Sequence, residues 1–438
     1  MNKEKIKTYL LDFQEKKFSN VKKRDIILPD TAKIQTIIGA RRTGKTYLLY
    51  NKILELEEQG IPRKRIIYLN FENPVLDDLS YKEIRDIIAL QWSLFPEIAK
   101  KRMYIFIDEP QAIDKWEAAI RDLHDNFNAR MFITGSSSRL LSKEIATSLR
   151  GRSISTLLLP LSFKEFLSFN GFAADIGRLS TESKAYLLNY FDKYLAFGAY
   201  PEVVLSANGE EKIKILKDYL DLTIYKDLVD RYKIKNTALI KNLIDMAVGS
   251  CAREFSINKH YLDFKSRGLK AGKNTLYEYF SMLEDSFFIF PLRRFSYSKT
   301  TENLSIPKVY LGDMGFLNLY SLENFGQRIE NGVFLALRRK IADNPALALS
   351  YWKSDTGKEV DFILREGRKI KSVIQVSYEM PDNKTETREL DGLLSCMDEM
   401  SLDTGLIITR DTETEKRIGG KLIKIIPAWK WLLLNSTD

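Results

Sequence analysis

"TIIGARRTGKTYLLY", residues 36–50, decides how the rest of the chain is read. A short apolar run ends at Ile38. Gly39 and Gly44 then bracket four residues, Lys45 and Thr46 follow, and an apolar helical pattern begins. The segment fits G-x-x-x-x-G-K-[ST]. In such a loop, backbone N–H groups must turn inward around an anion. Glycines permit dihedrals that a Cβ would block, and they let the main chain come close to the anion. The following helix turns its positive N-terminal end toward the same charge. A strand before the loop and a helix after it is the context the pattern requires, and both are present.

The anion implied is the phosphate tail of ATP, with Mg²⁺ as the second cofactor. The candidate binding stretch is Gly39, Ala40, Arg41, Arg42, Thr43, Gly44, Lys45, Thr46 and Tyr47. Lys45 would reach the β- and γ-phosphates, and the Thr46 hydroxyl would sit on Mg²⁺. Arg41 and Arg42 are left open between phosphate, DNA and water. A metal-bound phosphate tail also needs carboxylates. "YIFIDEP" ends an apolar strand with Asp108 and Glu109. Asp108 would hold the hydrated Mg²⁺, and Glu109 would orient and polarise the attacking water as general base. The next apolar run, "MFITGSS", places Thr134 at its end and Ser136 just beyond, where a hydroxyl would touch the γ-phosphate or the water or simply cap a turn. "SLRGR" adds Arg150 and Arg152, residues of a type suited to charge on a transferring phosphoryl group, or to a solvated surface. If either acted on a neighbour's nucleotide, the chain would work as a homo-oligomer.

Composition sets the frame. With 438 residues the chain is too long for one core, and two or three domains are expected. A content of 44% apolar and 11% aromatic residues is that of a folded globular protein. No apolar run is long enough to span a membrane, and the charged opening "MNKEKIKTYLLDFQEKK" lacks the apolar core of a signal peptide. A cytoplasmic, membrane-free protein is expected. Cys251 and Cys396 read as core residues rather than a disulfide, and two histidines exclude a multi-histidine metal site. The net charge of +9 permits a nucleic-acid partner, but 59 interspersed acids keep it from demanding one.

Further out, "KIQTII" (33–38), "RIIYLNF" (65–71), "MYIFID" (103–108), "ARMFIT" (129–134) and "SISTLLL" (153–159) read as strands. Helix-length segments at 45–58, 80–99 and 114–126 lie between them. Apolar strands alternating with helices predict a parallel sheet covered on both faces. The region 176–322 is mainly helical, including a long amphipathic helix over 211–234. "INKHYLDFKSRG", "KAGKNTLYEYFSMLEDS" and "FFIFPLRRFS" read as helix, turn, helix, strand, the order of a winged helix. In it, Leu276, Tyr279 or Phe280, Leu283 and Phe287 would be buried. Lys270, Lys273, Asn274 and Tyr277, with Arg293 and Arg294 on the wing, would face double-stranded DNA; the alternative is a winged helix used only for packing within the molecule, with solvated lysines. The rest is a small mixed α/β unit. The fold class is thus α/β: a P-loop NTPase parallel sheet covered by helices over 1–175, a helical and winged-helix domain over 176–322, and a small mixed α/β domain over 323–438, whose nuclease-like character is implied only by the resemblance given next.

"GARRTGKT", "YLNFEN", "FIDEPQ", "FITGSSSRLLS", "SLRGR", "LPLSFKEFL" and "FGAYPEVV" together resemble a prokaryotic family of AAA+ ATPases that carry a C-terminal domain of unknown function. The resemblance runs through most of the chain and is strongest over residues 34–205. It implies a sheet with the catalytic strand inserted beside the phosphate-loop strand. It also implies Glu72 and Gln111 as residues supporting the site. The C-terminal unit resembles a restriction-endonuclease-like fold, with Glu330 and Asp361 at two acidic positions. The acid-x-lysine pair such a nuclease needs is replaced by Gln375 and Ser377. A neutral amide is a poor Mg²⁺ ligand, and serine supplies no cation. Lys371 lies on the strand face of Gln375 by period-two counting. The alternative reading of Asp361 is a hairpin acid paired with Lys358. Three functions follow from these readings: a DNA-acting ATPase, a slow ATP-switched nucleic-acid-binding regulator, and an ATP-gated nuclease.

Overall fold

The computed structural model describes residues 2–136, 149, 151–173, 177–268, 271–320, 324–379 and 383–435. Arg150 and Lys270 lie outside the described residues. The chain divides into two compact units, Met1–Leu158 and Leu159–Asp438.

In the first unit, strands β1 (Ile34–Ile38), β2 (Ile66–Asn70), β3 (Met103–Asp108), β4 (Ala129–Gly135) and β5 (Ser153–Leu157) form one sheet in the order β2-β3-β4-β1-β5. All neighbours in it run parallel. Period-two alternation sends successive side chains to opposite faces, and here both faces are apolar. Ile67, Leu69, Ile105, Ile107, Met131 and Ile133 pack with helices α1 (Lys3–Glu15), α3 (Ile84–Leu94) and α4 (Trp116–Asn126). Tyr68, Phe106 and Phe132 face the other way, onto Leu48, Leu49, Ile53 and Leu56 of α2 (Lys45–Glu58). Phe106 and Phe132 stack across adjacent strands, with ring centroids 4.7 Å apart. Burial on both sides explains why these strands show no polar alternation in the sequence.

The strand beside β1 is β4, so β3 with its two acids stands one strand further out. This corrects the expected placement of the catalytic strand beside the phosphate-loop strand. The insertion has a consequence: Thr134, at the end of β4, lies between the loop that follows β1 and the acids that end β3.

The second unit begins with helices, among them Thr181–Phe197 and Gly209–Leu222. The long helix expected over 211–234 changes winding at Thr223–Asp230, which is π-helical. Next come helix Thr237–Gly249, the short β6 (Arg253–Glu254), helices Ile257–Ser266 and Lys273–Asp285, β7 (Ile289–Leu292) and β8 (Lys308–Leu311). The three strands pair antiparallel in the order β6-β8-β7. As expected, Leu276, Tyr279, Phe280, Leu283 and Phe287 are buried. Phe287 takes a left-handed φ of 59° where the helix ends and the chain turns into β7.

After helix Phe325–Asp343, strands β9 (Leu347–Lys353), β10 (Glu359–Glu366), β11 (Lys369–Val376), β12 (Thr404–Thr409), β13 (Thr414–Ile418) and β14 (Lys421–Pro427) make a mixed sheet. Its order is β13-β14-β12-β11-β10-β9. β9, β10 and β11 are antiparallel, whereas β11, β12 and β14 run parallel. Helix Asn383–Glu399 links β11 to β12 and contributes Leu393, Cys396 and Met397 to the core against Val360, Ile363, Val373 and Ile407. Both cysteines are free and buried. Among the described residues no helix is long and apolar enough to cross a membrane.

Candidate functional site

Four elements of the first unit converge on one spot: the loop after β1, the first turn of α2, and the ends of β3 and β4. The loop is shaped by its glycines. A Cβ on Gly39 would meet the Leu158 carbonyl oxygen at 2.0 Å, so only glycine fits there. Gly44 has a left-handed φ of 96°, and Arg42 also takes a positive φ, of 66°. Thr43 is fully buried, and its hydroxyl donates to the Ala40 carbonyl at 3.0 Å. Arg24, itself buried, clamps the loop from outside by donating to the Thr43 carbonyl at 2.8 Å. Lys45 is buried, and its ammonium donates to the carbonyls of Gly39 at 3.1 Å and Ala40 at 2.9 Å. Tyr47 is exposed and meets Tyr50 edge-on at 5.8 Å.

The acids stand opposite. Asp108 is the centre of a hydroxyl cluster. Thr46 donates to its Oδ2 at 2.7 Å and Tyr68 to the same oxygen at 2.9 Å, while Thr134 donates to Oδ1. Burial pushes the Asp108 carboxyl above its ordinary range. The Thr134 and Thr46 hydroxyls pull the other way, and the nearby Glu109 charge adds to the rise. Glu109 takes a left-handed φ of 51°, which swings its side chain off the strand end. Its backbone N–H donates to the Thr134 hydroxyl at 3.2 Å. Burial would raise the Glu109 carboxyl as well. The Lys45 ammonium at 3.7 Å, the Gln111 amide, Arg41 and the Ser136 hydroxyl outweigh burial and hold it below the ordinary range. Two adjacent buried acids therefore shift in opposite directions: burial prevails at Asp108, and the partners prevail at Glu109.

Of the residues expected from the sequence, Lys45, Thr46, Asp108, Glu109, Thr134 and Ser136 are brought together. Glu72 meets Arg41 at 3.2 Å, and the Gln111 amide donates to Glu109. Arg152 is engaged elsewhere: its guanidinium makes two bonds, of 2.8 and 3.0 Å, to Asp125 at the end of α4. Tyr68 and Arg24 were not anticipated. Tyr68 sits in an apolar strand, where its type signals packing rather than a bond to a carboxylate.

In the second unit Lys273, Asn274 and Tyr277 lie exposed on one side of their helix. Arg293 and Arg294 do not stand on a free wing. The Arg293 side chain donates to the Ser305 carbonyl at 2.7 Å, and Arg294 reaches Asp355 at 3.5 Å. Their backbone pairs with β9, since Tyr351 N–H donates to the Arg293 carbonyl at 3.0 Å. Asp361 is not paired with Lys358, whose ammonium donates instead to Ser395 at 2.9 Å. Lys371 pairs with Glu366 at 2.5 Å.

A parallel sheet with this strand order, a glycine loop after β1 and adjacent acids ending β3 defines a P-loop NTPase fold. Residues 31–167 match a family described as an AAA domain, residues 188–327 a domain of unknown function (DUF8612), and residues 325–431 another (DUF4143). Uncharacterized protein MJ1544 of Methanocaldococcus jannaschii is 38% identical over 429 residues, covering 95% of this chain and 92% of its own length. A Haemophilus influenzae protein is 29% identical over 92% of this chain and 95% of its own length. The chain belongs to this family of AAA+ ATPases with C-terminal domains of unknown function. Among solved structures, the Aeropyrum pernix ORC1 protein in complex with DNA is similar at 13% identity. The match covers 68% of this chain and 88% of that one at a TM-score of 0.30, too low to carry any inference.

Proposed function

We propose that the chain binds ATP with Mg²⁺ at the 39–46 loop and hydrolyses it. The observation that carries the reading is the direct contact of Thr46 Oγ1 with Asp108 Oδ2, at 2.7 Å, next to a buried, charge-stabilised Glu109. The residues suit the group. The buried Lys45 ammonium stands at the loop carbonyls, and a hydroxyl beside a carboxylate is the hard oxygen pair that Mg²⁺ takes. Thr46 and Asp108 would hold Mg²⁺ when it is bound, and the ion would supply positive charge to neutralise the phosphate tail. Lys45 leaves the loop carbonyls for the phosphates. Glu109 accepts the proton of the attacking water as its oxygen bonds to the γ-phosphorus and the bond to the β-bridging oxygen breaks. Thr134 holds the Glu109 backbone in place, and Ser136 steadies the same carboxylate.

In this reading the parts 1–175, 176–322 and 323–438 act together, and a loop that orders differently after hydrolysis biases the attached domains. The order of helix, β6, two helices, β7 and β8, with the sheet order β6-β8-β7, supports a winged helix. Its exposed Lys273, Asn274 and Tyr277 support DNA as the partner. A wing backbone joined to β9 restricts the contact to that helix. The nuclease reading is not favoured, because the Gln375 side-chain oxygen is spent on the Asp361 N–H at 3.2 Å. The test is ATP turnover by the full chain with and without duplex DNA. Lys45→Ala is expected to lose nucleotide binding. Glu109→Gln is expected to keep binding and lose about 10²–10⁴ in kcat. Equal rates in all three proteins would refute the reading, and a rate unmoved by DNA would remove the partner.

A further inference from the structure

Lys308 lies in the apolar run "PKVYL" (307–311) on β8 and is only 2% exposed. Its ammonium is 2.6 Å from Glu359 Oε1, 2.8 Å from Asp361 Oδ1 and 3.3 Å from Glu330 Oε1. The three acids come from two different elements, helix Phe325–Asp343 and β10. An ammonium has three N–H donors; two of them donate to Asp361 and Glu330, and Glu359 lies within ion-pair distance. The acids are fixed in turn. Tyr310 donates to Glu330 at 2.7 Å, the Val376 N–H donates to Asp361 Oδ2 at 2.9 Å, and Lys353 reaches Glu359 at 3.6 Å.

A buried ammonium is costly unless fully paired. Burial would drain the Lys308 charge, but Asp361, Glu330 and Glu359 outweigh it and hold the side chain firmly protonated. Glu330 feels the crowding: burial and the neighbouring Asp361 push its carboxyl up to about 8, and Lys308 opposes them. Glu330 and Asp361 are the two acids that the nuclease resemblance singles out. They do converge, but on a side chain delivered by β8, outside the mixed sheet.

We propose that Lys308 is the resident cation of this acidic pocket, seated where a nuclease fold would hold a divalent ion. The pocket then takes no metal while Lys308 is in place, and the nuclease-like sheet serves to grip β8 rather than to cut.

The test is independent of the ATP reading, because it uses full-length protein without nucleotide and measures the thermal midpoint with and without millimolar Mn²⁺. Lys308→Met is expected to lower Tm by about 10 °C. Mn²⁺ should return at least half of that loss and should leave wild type much less affected. Lys308→Met/Asp361→Asn removes one charge of each sign. It should recover Tm without metal and lose the Mn²⁺ response. The proposal is overturned if Lys308→Met melts like wild type, if Mn²⁺ shifts both proteins equally, or if the double variant is no more stable than the single. Should Lys308→Met not fold, recovery of folded protein in the double variant supports the proposal and its absence overturns it.

Discussion

Thr134→Val removes one oxygen and almost no volume, so its effect isolates a hydrogen-bonding role. The Thr134 side chain is 1% exposed and bonds in two directions, donating to Asp108 Oδ1 and accepting the Glu109 N–H at 3.2 Å. Valine leaves that N–H without its acceptor in a buried place, at a cost of about 1–3 kcal/mol. In a unit of this size that corresponds to a Tm fall of roughly 3–10 °C. The catalytic effect has a separate origin. Glu109 sits at φ 51°, off the strand geometry, and its N–H bond to Thr134 is an anchor for that turn. Losing the anchor should misdirect the carboxylate and lower kcat roughly 10- to 100-fold, about 1.4–2.7 kcal/mol. Lys45 and the loop are untouched, so ATP affinity measured by titration should move by less than about threefold, under ~0.7 kcal/mol. Thr134→Ser restores the hydroxyl and should restore most of kcat. A valine variant with wild-type kcat and Tm, or a serine variant as impaired as valine, would refute the reasoning.

Other outcomes follow from contacts in the second unit and from the proposed DNA helix. Gly198 has φ 74°, and a Cβ there would lie 1.6 Å from Asp313 Oδ1, so Gly198→Ala should cost at least about 3 kcal/mol in denaturant titration; an unchanged midpoint would contradict this. Asp313→Asn sets an amide donor against the N–H of Ala199 or Gly315, which the carboxylate now accepts at 2.8 and 2.7 Å, and should cost about 1–3 kcal/mol in the same assay. Lys273→Ala should weaken duplex binding and flatten the dependence of log K on log salt by about one unit, while Arg293→Ala, whose guanidinium is spent on Ser305, should leave that slope alone.

The parallel sheet was legible because both faces of its strands are buried, leaving largely apolar runs such as Ile66–Asn70 and Met103–Asp108 between helix-length segments. The loop and the acid pair were legible because their spacing is set by local backbone geometry. Contacts made across long sequence separations were not. Nothing in "YLNF" marks Tyr68 as a partner of Asp108, 40 residues on. Helix α1 was hidden by its charged surface, although Ile6, Leu10 and Phe13 at helical spacing form its buried stripe. The place of β4 between β1 and β3 depends on strand pairing, which periodicity does not encode. Lys308 did leave a trace, a lone lysine inside an apolar strand. Its three partners lie 22 to 53 residues away, so their convergence could be seen only in the fold.

The central claim is that residues 39–46 and the acids of β3 form one nucleotide site. Isothermal calorimetry of ATP with Mg²⁺ on wild type, Lys45→Ala and Glu109→Gln tests it most directly. Binding heat in wild type and Glu109→Gln, with none in Lys45→Ala, is the predicted result. No heat in wild type, or equal binding by Lys45→Ala, would contradict it.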